Sequence, residues 1–121
     1  MSYSVVFKSK EKHILDLPAS NPLSQAFQDV YRYDKPVSLN EFSFSKAKEN
    51  TMEKIAFITR QIRIYNKLLQ NSKDNENLYE VANVIEDYED ELKNLNNTLA
   101  QIDLLKMIYY SQNDEMEIEY V

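Results

Sequence analysis

A chain of 121 residues, 43% hydrophobic and 28% charged, is long enough for one domain with a modest core. It contains no cysteine and no glycine. This excludes disulfide frameworks, cysteine-ligated metals and thiol nucleophiles, and also glycine-dependent phosphate loops, dinucleotide fingerprints and G-x-S-x-G elbows. The net charge of −6 is unevenly placed: residues 45–73 carry +5 and residues 74–92 carry −8, so a basic segment runs directly into an acidic one.

The first stretch, YSVVF (residues 3–7), alternates Tyr3, Val5 and Phe7 on one face and is rich in strand formers. HILDL (residues 13–17) alternates again, with His13, Leu15 and Leu17 on one face and Ile14 opposite. The polar link KSKEK between them has hairpin length, so the two are expected to pair. ASNPLSQAFQDVYRY (residues 19–33) reads as a short helix, capped by Ser20 or Asn21 with Pro22 in its first turn. Leu23, Phe27, Val30 and Tyr31 would share its inner face. VSLNEFSF (residues 37–44) is open to two readings: Ser38 and Glu41 fit a capping box, whereas Phe42 and Phe44 alternate like an extended segment. A helix is expected from about Ser45 to Asn71, with Ser43 or Ser45 as further cap candidates.

Within that helix Ile55, Ile58, Ile62, Tyr65 and Leu69 step by threes and fours, a two-heptad seam. A second apolar line, Phe57, Ile64 and Leu68, runs beside it. NSKDNEN (residues 71–77) is the break, with asparagine standing where a left-handed glycine is usual and Asp74 or Asn75 as the next cap. A helix over about residues 77–111 then keeps the 3-4 step through Leu78, Val81, Ile85, Tyr88, Leu92, Leu95, Leu99 and Ile102. The short break makes the two helices antiparallel neighbours. Leu104, Leu105 and Ile108 would overhang and bury on the N-terminal elements. The tail DEMEIEYV alternates Met116, Ile118 and Tyr120 with Glu115, Glu117 and Glu119, a half-buried edge strand pairing with the hairpin.

The expected fold is therefore α+β: a long, coiled-coil-like antiparallel helical hairpin (residues 45–111) on a small head of antiparallel sheet and one short helix (residues 1–44 and 112–121), together one domain. No apolar run approaches the roughly 18 residues of a membrane span. The opening residues lack a secretory pattern, so the cytoplasm is the expected compartment, that of the host if the chain is phage-encoded. Lysine outnumbers arginine 11 to 3 and asparagine occurs 12 times, the bias of an AT-rich coding sequence.

Candidate chemistry is sparse. Glu86/Asp90 and Asp87/Glu91 are i, i+4 carboxylate pairs, but they avoid the seam positions. The one histidine, His13, sits in a strand, so no metal site or cofactor is expected. No catalytic constellation emerges around His13 either, and the chain reads as a non-enzyme. The basic helix residues Lys46, Lys48, Lys54, Arg60, Arg63, Lys67 and Lys73 are expected to pair with the acidic helix across the hairpin rather than to track nucleic acid. The reading that remains is a small acidic interaction protein of phage or mobile-element type. It would bind and inhibit a basic, nucleic-acid-handling partner through Glu80, Glu86, Asp87, Asp90 and Glu91, with Tyr109 and Tyr110 near the head. Phe57, Ile64, Leu68 and Val84 ask for a second surface and point to a homodimer. The alternative is a structural coiled-coil homo-oligomer, such as a phage-particle or assembly component.

Overall fold

The computed structural model describes residues 3–10, 12–71 and 75–121. Along the chain lie β1 (Ser4–Ser9), β2 (Lys12–Pro18), α1 (Pro22–Ala26), β3 (Val37–Ser38), α2 (Glu41–Asn71), α3 (Asn75–Ser111) and β4 (Glu117–Tyr120). The architecture is α+β, a four-stranded antiparallel sheet beside a long pair of packed helices. Of the break expected over residues 71–77, residues 72–74, with the cap candidate Asp74 and with Lys73, lie outside the described residues, and α3 begins at Asn75, inside the expected break.

The sheet order is β2-β1-β4-β3. The C-terminal strand thus inserts between β1 and β3 and is internal, where the alternation of its glutamates had pointed to an edge. The strand β3, only two residues long, is too short for any periodic pattern to reveal it. Ser4 and Val121 exchange backbone hydrogen bonds of 2.9 and 2.8 Å, so the two ends of the chain are stitched together. Residues directly opposite in the sheet share a face. Val5 and Phe7 stand opposite Leu17 and Leu15 on β2, and opposite Tyr120 and Ile118 on β4. This face packs on the helices.

β2 departs from simple alternation. A bulge between Phe7 and Lys8 sets Leu15 opposite Phe7 and His13 opposite Lys8, leaving Ile14 as the extra residue. Ile14 therefore packs on the core beside Leu15 and Leu17. His13 leaves the inner face it was expected to share with them and stands exposed. One inserted residue shifts every later side chain to the other face. The same bulge bends the open edge of β2, which blunts it against pairing with another strand.

α1 starts as expected: the Asn21 side-chain oxygen accepts from the Leu23 N–H at 2.9 Å, with Pro22 at the first turn. It ends at Ala26, seven residues before the expected stretch closes. Phe27 N–H donates to Ser24 O and Val30 N–H to Phe27 O, so the chain turns instead of continuing. Ser24 is buried and donates to Pro18 O at 2.9 Å. Asn50 on α2 donates to Ala26 O at 3.1 Å and to Asp29 at 3.0 Å, which satisfies a carbonyl of α1's last turn and pins α1 to α2.

α2 begins at Glu41, one turn ahead of the expected start at Ser45. The cap is Asn40, which none of the candidates Ser38, Ser43 and Ser45 had anticipated. Its side-chain oxygen accepts from Ser43 N–H, and Ser43 Oγ accepts from Asn40 N–H, each at 3.1 Å. Phe42 and Phe44 are therefore on opposite faces of a helix: Phe42 is 83% exposed and Phe44 is 1% exposed. Asn40→Ala should lower stability by about 1 kcal/mol, and Asn40→Asp should retain most of it, read from urea unfolding midpoints.

The two long helices pack antiparallel. Phe44 meets Tyr109 with ring centroids 5.2 Å apart, and Tyr65 meets Tyr88 at 5.8 Å. The two contacts are separated by the same number of residues on each helix, so the register does not slip. The expected seam residues are buried or half-buried: Ile58, Ile85, Leu95 and Ile102 fully, Ile55, Ile62, Tyr65, Leu69, Tyr88, Leu92 and Leu99 in part. Thr51 and Thr98 are buried, each hydroxyl bonding the carbonyl four residues back at 2.9 Å. At the head end Leu105 is buried and Ile108 packs on the core, but Leu104 is exposed because it lies a third of a turn round the helix.

No glycine serves the tight turns. Lys10, Asn113 and Asp114 take φ near +60°. Asp114 N–H reaches back to Tyr109 O at 3.0 Å and closes the end of α3. Asn and Asp tolerate this region because their short polar side chains bond locally.

Candidate functional site

Phe57, Ile64 and Leu68 recur at helical spacing along one side of α2 and are 50%, 51% and 52% exposed. Nearer the head this side of α2 is covered by α1 through the Asn50 bonds; beyond Asn50 nothing among the described residues replaces α1. The stripe is what a helix shows where its covering element stops. Val84 on α3 is half-buried.

Where α1 ends, a groove of about 440 Å³ opens between α1 and the hairpin. Its floor is apolar, with Phe57, Ile58 and Tyr88. Asp29, Glu53 and Glu91 supply carboxylates around it, Lys54 one cation, and Gln25 and Gln28 neutral polar groups. Of the residues expected to be functional, the groove thus unites Phe57 and Glu91. Asp29, Glu53, Gln25 and Gln28 carried no signal in the sequence, since only the fold of α1 and the turn after it onto α2 brings them there.

The acidic residues Glu80, Glu86, Asp87, Asp90 and Glu91 are all exposed. Of the ion pairing expected between the basic and acidic helices, little is present among the described residues. Among the described residues the one ion pair joining α2 and α3 is Lys48–Asp103, at 4.0 Å. The reason is angular: Arg60, Arg63 and Lys67 lie away from the seam, as do Glu86, Asp87 and Asp90, so their charges diverge. Arg63 and Lys67 line a separate shallow cleft with Thr59 and Asn66. Glu91 alone of the acidic set lies in the groove between the helices.

Tyr109 turns inward, 6% exposed against Phe44, leaving Tyr110 as the member of the pair that solvent reaches. The Tyr110 hydroxyl donates to the Glu41 carboxylate at 2.9 Å. That bond pushes the Tyr110 phenol above its ordinary value, while burial is the main cause of the rise at Tyr109.

A second aromatic group forms at the sheet's end. Tyr120 is stacked between Tyr3 and Tyr31, at 5.5 Å from each, and meets Tyr33 edge-on at 4.7 Å. Burial raises the phenols of Tyr31 and Tyr120. A raised folded-state value favours the neutral form on folding. The associated stability is complete below the ordinary tyrosine value of 10.0 and is lost as pH rises through the folded values. Urea midpoints should therefore fall above pH 10, and Tyr31→Phe with Tyr120→Phe should remove part of that fall.

On the sheet's outer face Lys8 hydrogen-bonds Glu119 on the neighbouring strand, which raises the lysine above its ordinary value. His13 lies exposed across from Lys8. Among the described residues no three His, Asp or Glu side chains gather as metal ligands, and no helix is long and apolar enough to cross a membrane. No protein-family model matches the chain, and comparison with curated proteins and with solved structures gives no match.

Proposed function

We propose that this chain is a non-enzymatic interaction module that binds, and by binding inhibits, a protein with a basic surface of the nucleic-acid-handling kind. One observation carries the reading: an uncovered apolar stripe, Phe57, Ile64 and Leu68, runs on the hairpin whose acidic residues the basic helix leaves unpaired among the described residues. An apolar stripe supplies affinity and unpaired carboxylates supply steering toward cations. The inhibitory role and the phage or mobile-element type rest on small size, acidity and lysine- and asparagine-rich composition.

The test is capture from the native host by the intact chain and by a chain reversed at Glu86, Asp87, Asp90 and Glu91, followed by purification of the captured protein and measurement of its affinity for both. All four positions are exposed, so circular dichroism should show an unchanged fold. A loss of about tenfold or more on reversal is the expected result. Equal affinity would refute the acidic face.

The exposed stripe also favours the second reading, a coiled-coil homo-oligomer joined through Phe57, Ile64, Leu68 and Val84. Light scattering decides it: a dimer that Ile64→Glu splits would support this reading, and a monomer at about 50 µM would count against it.

A further inference from the structure

We infer that the groove between α1 and the helical hairpin takes an arginine side chain from a helical segment of a basic protein partner, whose apolar residues lie along Phe57, Ile64 and Leu68. The inference rests on the reading of the chain as a binder of basic proteins, and it names the anchor.

The groove has the size and lining of a side-chain socket. Its volume of about 440 Å³ falls within the roughly 300–1,000 Å³ of ordinary ligand sites. That is room for one long side chain and the turn that carries it. The floor of Phe57 and Tyr88 offers aromatic carbon for a guanidinium plane and its aliphatic stem. Asp29, Glu53 and Glu91 outnumber the single cation, Lys54. None of the three carboxylates is in an ion pair among the described residues. Asp29 is held in place through one oxygen by Asn50.

A flat cation with five forked donors fits this arrangement better than an ammonium, because it can stack on the floor and bond two carboxylates at once. A purely apolar guest would leave the carboxylates desolvated without partners. A second copy docking groove to groove about a two-fold axis would bring the two sets of carboxylates together, a like-charge arrangement that disfavours it. Beyond the groove, Ile64 and Leu68 continue the apolar line away from the head, roughly 16 Å of helix from Phe57 to Leu68. A partner helix of about three turns covers it.

The experiment uses the full chain and three labelled peptide probes of about four helical turns. Each carries leucines at heptad spacing on a neutral background and, at one central position, arginine, lysine or citrulline. Citrulline keeps the shape of arginine without its charge. Fluorescence anisotropy should show the arginine probe binding about tenfold or more tightly than the citrulline probe, with lysine between. Glu53→Gln with Glu91→Gln should reduce that preference to about twofold or less. Glu86→Gln with Asp87→Asn and Asp90→Asn, which lie outside the groove, should lower that preference clearly less than the groove pair does.

Equal binding of the arginine and citrulline probes would overturn the inference. If the outer triple variant abolishes the preference and the groove pair does not, the groove is wrong while the acidic-face reading survives. If neither set of variants changes anything, both fail. A chain that sediments as a dimer, is split by Phe57→Glu and ignores all three probes would show that a second copy fills the groove, and would also overturn the inference.

Discussion

Phe27→Ala should destabilise the chain by about 3–5 kcal/mol, the cost of emptying a fully buried aromatic site. Phe27 is completely buried at the end of α1. It meets Phe7 of β1 edge-on at 5.1 Å and Phe44 of α2 edge-on at 5.9 Å, and Phe44 in turn meets Tyr109 of α3. These four rings connect the sheet, the short helix and both long helices. Removing Phe27 breaks the series at its middle, and α1 loses its deepest contact. Because α1 forms one wall of the groove, the same substitution should also weaken arginine-probe binding. Phe27→Leu, which keeps most of the volume, should cost clearly less. Urea unfolding measures both, and a Phe27→Ala loss below about 1 kcal/mol would mean the rings do not carry the head.

Ile102→Asp should be at least as damaging, about 4 kcal/mol or more, because it places an unpaired carboxylate in an apolar core. Ile102 is 1% exposed and belongs to the cluster that holds Phe7, Phe44, Leu105 and Ile118. Leu92→Asp, further along the same seam, should cost less, since Leu92 is half-buried and a carboxylate there can turn toward water. The order of the two effects tests where the core lies. The head end of the hairpin carries most of the burial, and beyond Ile58 on α2 no described side chain of that helix is fully buried. Comparable losses at both sites would mean the seam is as deep in the stalk as in the head.

The helical hairpin was legible because its signal is repetitive. Leu78 through Ile102 keep the 3-4 step, and the seam lies where that spacing puts it. The cap at Asn21 and the strand nature of residues 117–120 followed from equally local chemistry. The failures have a common physical origin in single residues and distant contacts. One extra residue at Ile14 turned His13 outward and reversed the expected face. The two-residue β3 has no periodicity to detect, yet it makes β4 an internal strand. Asn40 outcompeted three serines as a cap because its neighbour Ser43 could bond it back. The opposite charges of the two helix sequences were real, but their angular placement left Lys48–Asp103 as the one described pair between the helices. The groove was invisible because Asn50 must first clamp Ala26, a contact between residues 24 apart in sequence.

Under the proposed function the outer charges of α3 and the uncovered stripe of α2 have complementary roles. Carboxylates spread along about three turns of helix, from Glu80 to Glu91, attract a cationic surface over distances near the Debye length of roughly 8–10 Å. The apolar stripe acts only on contact. Association should therefore respond to salt mainly through its rate of formation, while Phe57, Ile64 and Leu68 govern how long the complex lasts.

Recognition of a basic protein by the acidic residues of α3 can be read from the affinity of the captured and purified partner, measured against salt for the intact chain and for the chain reversed at Glu86, Asp87, Asp90 and Glu91. If these carboxylates carry the recognition, the intact chain loses about tenfold or more in affinity between about 0.05 and 0.5 M salt, and the reversed chain binds weakly at every salt concentration. Affinities that coincide for the two chains across the whole range would contradict it.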